Sequence, residues 1–268
     1  MGLLTGLLPK LQQNPPKQVP LLLSWPGAGV LVFWQIGVMK GLAARYDLSR
    51  LPMLGSSSGA LVTALAKGGA CMDAAAHRGI QLLKEFDVTS RPFGLLGILG
   101  RLTRQWMEDV LPDRAAERCS GGGATLLVTT LPLLRTRHIT DFHCRDDLME
   151  VVMASSHIPV VVDWRMFVSC RWRPVVDGGL WWLLQRSSRE YRPAHAEQTL
   201  LISPSHDQHI VKELHLFRRM RPTDFGVAQE LVSMGQAYAE QLALEHHQVL
   251  SRATGASLSS SLDHGGSG

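Results

Sequence analysis

Short apolar runs alternate with longer amphipathic stretches along most of this chain, the pattern of strands laid between helices. Val19–Trp25 is an uncharged, mainly apolar run. Pro26, Gly27 and Gly29 follow it, and apolar residues resume at Val32, which predicts a strand, a glycine turn and a helix. At about 20 residues the uncharged stretch 19–39 has the length of a membrane span. Pro20, Pro26, Gly27, Gly29, Gln35 and Gly37 divide it, so a buried strand-turn-helix is expected instead. Leu51–Leu54 reads as a second strand and Ala60–Lys67 as a helix. Helices are expected at Ala70–Phe86, at Thr103–Val110 before Pro112, and at Asp146–Ser156. Strands are expected at Ala124–Thr130 after the Ser120–Gly123 turn, at Pro174–Val176 and at Thr199–Ile202. From Thr223 to Arg252 the spacing of Phe225, Ala228, Leu231, Val232, Ala239 and Leu242 predicts an amphipathic helix, interrupted at Gly235. Alternation of this kind belongs to the α/β class.

With 268 residues and 45% apolar composition, the chain can bury one sizeable core. A single domain over 20–250 is expected, with a segment 1–19 before it and a Ser/Gly-rich, disordered tail at 251–268. Leu3-Leu4, Leu7-Leu8 and Leu11 give the first segment a short amphipathic pattern ahead of Asn14-Pro15-Pro16. A helix this short is marginal alone and needs the domain or a lipid surface to rest on. The same segment lacks a typical cleavage site, and Gly6 stands where a myristoylation signal needs Ser or Thr.

Charge narrows the partners. Twenty-seven basic against 23 acidic residues leave +4, with a pI near 9.0, a mild attraction to anionic surfaces. No Lys/Arg block with interleaved aromatics appears, so nucleic acid is not expected. Lys212, Arg218, Arg219 and Arg221 beside Leu214, Leu216 and Phe217 read either as a solvated helix face or as a lipid-headgroup patch. Cys71, Cys119, Cys144 and Cys170 form no Cys-x-x-Cys pair, which fits reduced thiols in the cytoplasm with no zinc site and no disulfide framework.

The chemistry concentrates in three places. Gly55-Ser56-Ser57-Ser58-Gly59 is a Gly-x-Ser-x-Gly motif between an expected strand and an expected helix. That context suits a nucleophile elbow presenting Ser57, although a plain Ser/Gly turn has the same composition. The amides of Gly27, Ala28 and Gly29 would open a helix, where they stabilise an anion or a developing oxyanion. No Gly-Lys-Ser/Thr follows, which disfavours a nucleotide phosphate. Asp177-Gly178-Gly179 lies 120 residues after Ser57 and supplies a carboxylate for proton transfer, or simply a turn aspartate. A Ser57, Asp177, His206 or His209 order matches a conventional triad, but the 56 residues before Ser57 hold too few strands for that fold. His206 and His209 read as surface residues and His157 as a packed or capping one.

Taken in order, several pieces resemble the patatin-like phospholipase family, in particular its animal-type acyl hydrolases. They are Ser24-Trp25-Pro26-Gly27-Ala28-Gly29, the elbow, Thr129-Thr130-Leu131-Pro132, Phe142-His143-Cys144-Arg145-Asp146-Asp147-Leu148, Ala154-Ser155-Ser156-His157-Ile158-Pro159 and Val176-Asp177-Gly178-Gly179. The resemblance spans about Leu21 to about Gln248. It implies a three-layer α/β/α fold with a mainly parallel central sheet. It also implies cleavage of fatty acyl esters of glycerolipids or phospholipids by a Ser57/Asp177 dyad, with an oxyanion hole at Gly27–Gly29. Gly55, Gly59, Gly178 and Gly179 then shape the elbow and the base turn. No metal or other cofactor is implied. The expected partners are a lipid ester and a membrane or lipid-droplet surface, met by a peripheral cytoplasmic protein. Two departures bear on turnover. Val32 stands where the family has glycine and would resist a positive φ. Trp181-Trp182-Leu183-Leu184 replaces the family's polar run after the base; the tryptophans suit an interfacial lip or core packing. A catalytically weak lipid-binding protein is therefore the alternative to an enzyme.

Overall fold

A computed structural model describes residues 18–180, 189–217 and 225–255. Four strands run parallel in its sheet: β1 (Val19–Trp25), β2 (Met53–Gly55), β3 (Ala124–Thr130) and, at one edge, β7 (Ala196–Leu201), in the order β3-β2-β1-β7. Antiparallel strands complete the other side: β4 (Arg135–Ile139), β5 (Val168–Cys170) and β6 (Arg173–Val176). Alternation along the strands sends Leu21, Leu23, Trp25, Met53, Leu126 and Val128 into the main core. Leu22, Leu54 and Leu127 point to the opposite face, where they meet Tyr191.

The helices are α1 (Val32–Ala43), α2 (Ser58–Gly68), α3 (Met72–Glu85), α4 (Leu99–Val110), α5 (Ala115–Cys119), α6 (Arg145–Ser155), α7 (Gln208–Phe217), α8 (Phe225–Glu245) and α9 (His247–Thr254). The fold is α/β with helices packed around a mainly parallel sheet, as expected. The 19–39 stretch is β1, a turn and α1, and none of the described helices is long and apolar enough to cross a membrane.

α1 is buried almost all round, as a helix without a polar face must be. It crosses α8 at backbone contact: Gly37 lies against the Val232 carbonyl, and Gly235 against the Trp34 carbonyl. The interruption expected at Gly235 is therefore absent. Gly235 sits inside an unbroken helix because any Cβ there would collide with α1, and the chain breaks at His246 instead.

β4 and β5 escape the hydrophobic pattern. Arg135 and Arg137 alternate outward on β4, and β5 is only three residues long.

Register explains how distant parts of the chain meet. β3 pairs with β4 along residues 126–130 on one edge. Its other edge is shared: β2 takes residues 124–126, and β6 takes 129–130 from the opposite direction. The ends of β2 and β6 therefore approach each other head-on beside the middle of β3.

Candidate active site

Ser57 follows the end of β2 and caps α2 with φ 54° and ψ −128°, a conformation that L side chains rarely adopt. The turn is tight enough that a Cβ at Gly55 would strike the Gly59 carbonyl, and one at Gly59 the Trp25 carbonyl. Only glycine fits either place. Ser57 itself is buried except for a small exposed fraction.

Asp177 follows the end of β6. Its amide donates to the His157 carbonyl at 2.8 Å, and the next amide, of Gly178, donates to the Ser155 carbonyl at 2.9 Å. Gly178 lies against the Leu127 carbonyl with no room for a side chain. Asp177 Oδ1 accepts from the Gly179 amide at 2.7 Å, while Oδ2 is buried without a well-formed hydrogen bond to any described residue. Burial pushes the carboxyl pKa up to about 6, against the lowering influence of the neighbouring Ser57 hydroxyl and the Gly179 amide. Ser57 and Asp177 are thus brought together.

Ser155 fastens the two turns to each other. Its hydroxyl accepts from the Ser57 amide at 3.0 Å and donates to the Leu127 carbonyl at 2.6 Å.

The Gly27–Gly29 loop lies over the elbow in a way the sequence does not reveal. The Gly27 amide donates to Ser56 Oγ at 3.2 Å and the Ala28 amide to Ser58 Oγ at 2.8 Å. Ser56 Oγ is in turn 2.6 Å from the hydroxyl of the buried Tyr191. Gly29, at φ 57°, borders open space. Behind the loop, Gln35 Nε2 donates to the Pro26 carbonyl and Trp34 Nε1 to Asp207 Oδ2, each at 2.8 Å.

Ser57, Ser58 and Gly29 open on a cavity of about 230 Å³ whose other walls are mostly apolar, including Phe33, Leu61, Leu102, Trp106 and Val162, with Thr103 and Ser156 as the polar exceptions. Phe33 and Trp106 stack there at 5.5 Å between ring centroids. An apolar slot ending at the Ser57 hydroxyl has the shape and polarity for a hydrocarbon tail with a polar end.

A family model described as patatin-like phospholipase matches residues 23–181, from β1 to just past the Asp177 turn. The chain belongs to the patatin-like phospholipase family. Among solved structures it is similar to VipD from Legionella pneumophila, with 14% identity and a TM-score of 0.36 over 69% of this chain and 49% of that one. The chain spans about half the length of VipD. No curated protein matches it.

The strain expected at Val32 does not arise. Val32 is in the right-handed helical region, at φ −52° and ψ −35°, and the positive φ falls on Gly29. His206 and His209 are exposed, and the His206 ring contacts the Leu201 carbonyl. His157 is packed in the interior, with Nδ1 3.8 Å from an Asp163 oxygen, and burial lowers its pKa. The four cysteines are free; Cys71 and Cys144 are exposed, while Cys119 and Cys170 are buried, with thiol pKa values raised, that of Cys119 to about 12. No group of three or more potential ligands that could hold a metal occurs among the described residues. Trp181 and Trp182, the segment 1–17, Arg218, Arg219 and Arg221 lie outside the described residues.

Nothing in the sequence marks Ser155, Tyr191 or the cavity wall as part of the site. Ser155 lies in a run that resembles the family, but nothing in that run shows that its hydroxyl reaches β3 and the elbow.

Proposed function

We propose that the protein is a lipid acyl hydrolase that cleaves fatty acyl esters of glycerolipids or phospholipids through a Ser57 acyl-enzyme. The observation that carries this reading is the placement of Ser57 between an apolar cavity and a buried carboxylate whose pKa is about 6. At neutral pH Asp177 is ionised and basic enough to take the Ser57 proton as Oγ attacks the ester carbonyl. The tetrahedral oxyanion is received at the Gly27–Gly29 loop. Collapse expels the alcohol, which takes its proton from Asp177. Water then repeats the sequence: Asp177 accepts its proton, the hydroxyl attacks the acyl carbonyl, and Ser57 leaves reprotonated with release of the fatty acid. The apolar cavity would hold the acyl chain, and the site would meet its substrate at a membrane or lipid-droplet surface.

Labelling by a fluorophosphonate ester tests this assignment. The intact protein should label, while Ser57→Ala and Asp177→Asn should not; equal labelling of Ser57→Ala would remove Ser57 as the nucleophile.

One observation favours a lipid-binding protein with weak turnover. The Ser56 and Ser58 hydroxyls occupy the Gly27 and Ala28 amides. If they restrain turnover, Ser58→Ala should raise the labelling rate by freeing the Ala28 donor.

A further inference from the structure

We propose that the β5–β6 hairpin, together with the adjoining β3–β4 turn, docks the protein on an anionic phospholipid surface. The proposal deepens the lipid hydrolase reading and rests on it for its purpose. Three independent features support it.

The first is position. β6 continues beyond the end of β3, where the Leu131 amide donates to the Pro174 carbonyl at 2.9 Å. That end of the sheet is also where β1 enters the Gly27–Gly29 loop and β2 enters the Ser57 elbow. The hairpin tip therefore projects on the same side as the candidate active site.

The second is apolar exposure at both tips. Trp172 is 99% exposed at the hairpin tip, and Leu133 is 67% exposed in the neighbouring turn. Trp164, Met166 and Phe167 are also exposed on the segment leading into β5, whose preceding residues Ile158, Val161 and Val162 wall the acyl cavity. The tip is made of residues unsuited to its backbone. Arg171 and Trp172 form a two-residue hairpin loop with φ of 48° and 63°, the signature of a type I′ turn, which favours Asn-Gly. A strained turn that displays tryptophan beside arginine points to a role outside the fold. Tryptophan belongs at the boundary between lipid headgroups and acyl chains.

The third is charge. Residues 131–139 and 164–173 contain five arginines and no acidic residue. Arg171 pairs with Asp147 at 2.9 Å and Arg165 lies 3.8 Å from Asp163. Arg135, Arg137 and Arg173 are exposed and make no ion pair among the described residues. Arg137, Arg171 and Arg173 line a cleft of about 420 Å³, together with Asp141. Unpaired cations beside protruding apolar rings match a surface of anionic headgroups over hydrocarbon.

The test is vesicle binding by the Ser57→Ala protein, so that lipid is not consumed. Phosphatidylcholine vesicles are compared with vesicles in which phosphatidylserine replaces part of the phosphatidylcholine. Tighter binding to the anionic vesicles, weakened by salt, is expected. Arg135→Gln/Arg137→Gln/Arg173→Gln should lower that affinity by on the order of 100-fold. Arg171→Asn/Trp172→Gly should raise the thermal midpoint by easing the turn, yet weaken binding by about tenfold or more through loss of the tryptophan. Equal binding to neutral and anionic vesicles, no binding to either, or undiminished binding by these variants would overturn the proposal. With Ser57 restored, the hairpin variants should hydrolyse a water-soluble short-chain ester as fast as the parent. Docking without any hydrolysis would leave this proposal standing and remove the hydrolase reading; hydrolysis without docking would do the reverse.

Discussion

The Ser155 hydroxyl holds the Ser57 amide at 3.0 Å, and the Ser155 carbonyl holds the amide of Gly178 beside Asp177 at 2.9 Å. One residue at the end of α6 thereby ties the Ser57 turn to the Asp177 turn. Its hydroxyl also donates to Leu127 of β3, so the assembly is anchored to the sheet. Ser155→Ala would strand a buried amide and a buried carbonyl. We expect a loss of about 1–3 kcal/mol in stability. Fluorophosphonate labelling should slow as well, because the two turns lose their common tether. Urea unfolding and labelling rates measured on the same protein check both effects; a variant unchanged in either would show that the tether is idle.

Asp177 should make stability and activity respond to pH in opposite directions. Its carboxyl keeps a proton to about pH 6 in the fold, against a reference of 3.8. Between those values the native state binds more protons than the unfolded chain, so stability falls as pH rises from about 4 to about 6 and levels off above. The difference corresponds to about 3 kcal/mol. Asp177→Asn should abolish that slope and be more stable at neutral pH by up to this amount, as thermal unfolding across the pH range would show. Labelling of the intact protein should rise through about pH 6 as the base ionises. Labelling that falls over that range would contradict a carboxylate base.

Much of this architecture is legible in the sequence because it rests on local rules. The apolar run to Trp25, the glycines after it and the spacing of the elbow each announce a strand end or a tight turn. The same rules fail where tertiary contact decides. Gly235 reads as a helix break, yet it is the residue that lets α8 touch α1. β4 looks polar because its arginines face outward, and its pairing partner lies across a turn in β3. Val32 invites an expectation of strain that depends on which residue of the loop takes the positive φ; that residue is Gly29. The engagement of Gly27 and Ala28 by the hydroxyls of Ser56 and Ser58 spans about thirty positions, with no periodicity to betray it.

Ser57 carries its own strain, and two substitutions separate strain from chemistry. At φ 54° and ψ −128° an alanine keeps the clash of the β-carbon, whereas glycine removes it. Both variants lose the Ser57 hydroxyl and, on the proposed assignment, should fail to label. Ser57→Gly should nevertheless be more stable than Ser57→Ala by about 1 kcal/mol. Chemical denaturation of the two side by side decides the matter, and an alanine variant as stable as the glycine one would mean that the elbow relaxes without its serine.

The α1–α8 contact offers one substitution with two signs in one helix. Among the described residues beyond its own helix, none lies within 4 Å of a methyl group added at Gly226, in the first turn of α8. Gly226→Ala should stabilise the protein by about 0.5–1 kcal/mol, the ordinary gain of alanine over glycine in a helix. Gly235→Ala places the same methyl group against the Trp34 carbonyl and the Val38 amide of α1. Neither backbone can yield without moving the helix, so a loss of about 1–3 kcal/mol is expected. α1 also holds the Gly27–Gly29 loop through Gln35 and the Pro26 carbonyl. Any shift that relieves the clash at Gly235 therefore reaches the site, and the labelling rate should drop for Gly235→Ala while Gly226→Ala keeps the parent rate. Thermal midpoints give the signs and labelling gives the coupling; a Gly235→Ala protein that is destabilised but labels normally would separate α1 packing from the Gly27–Gly29 loop.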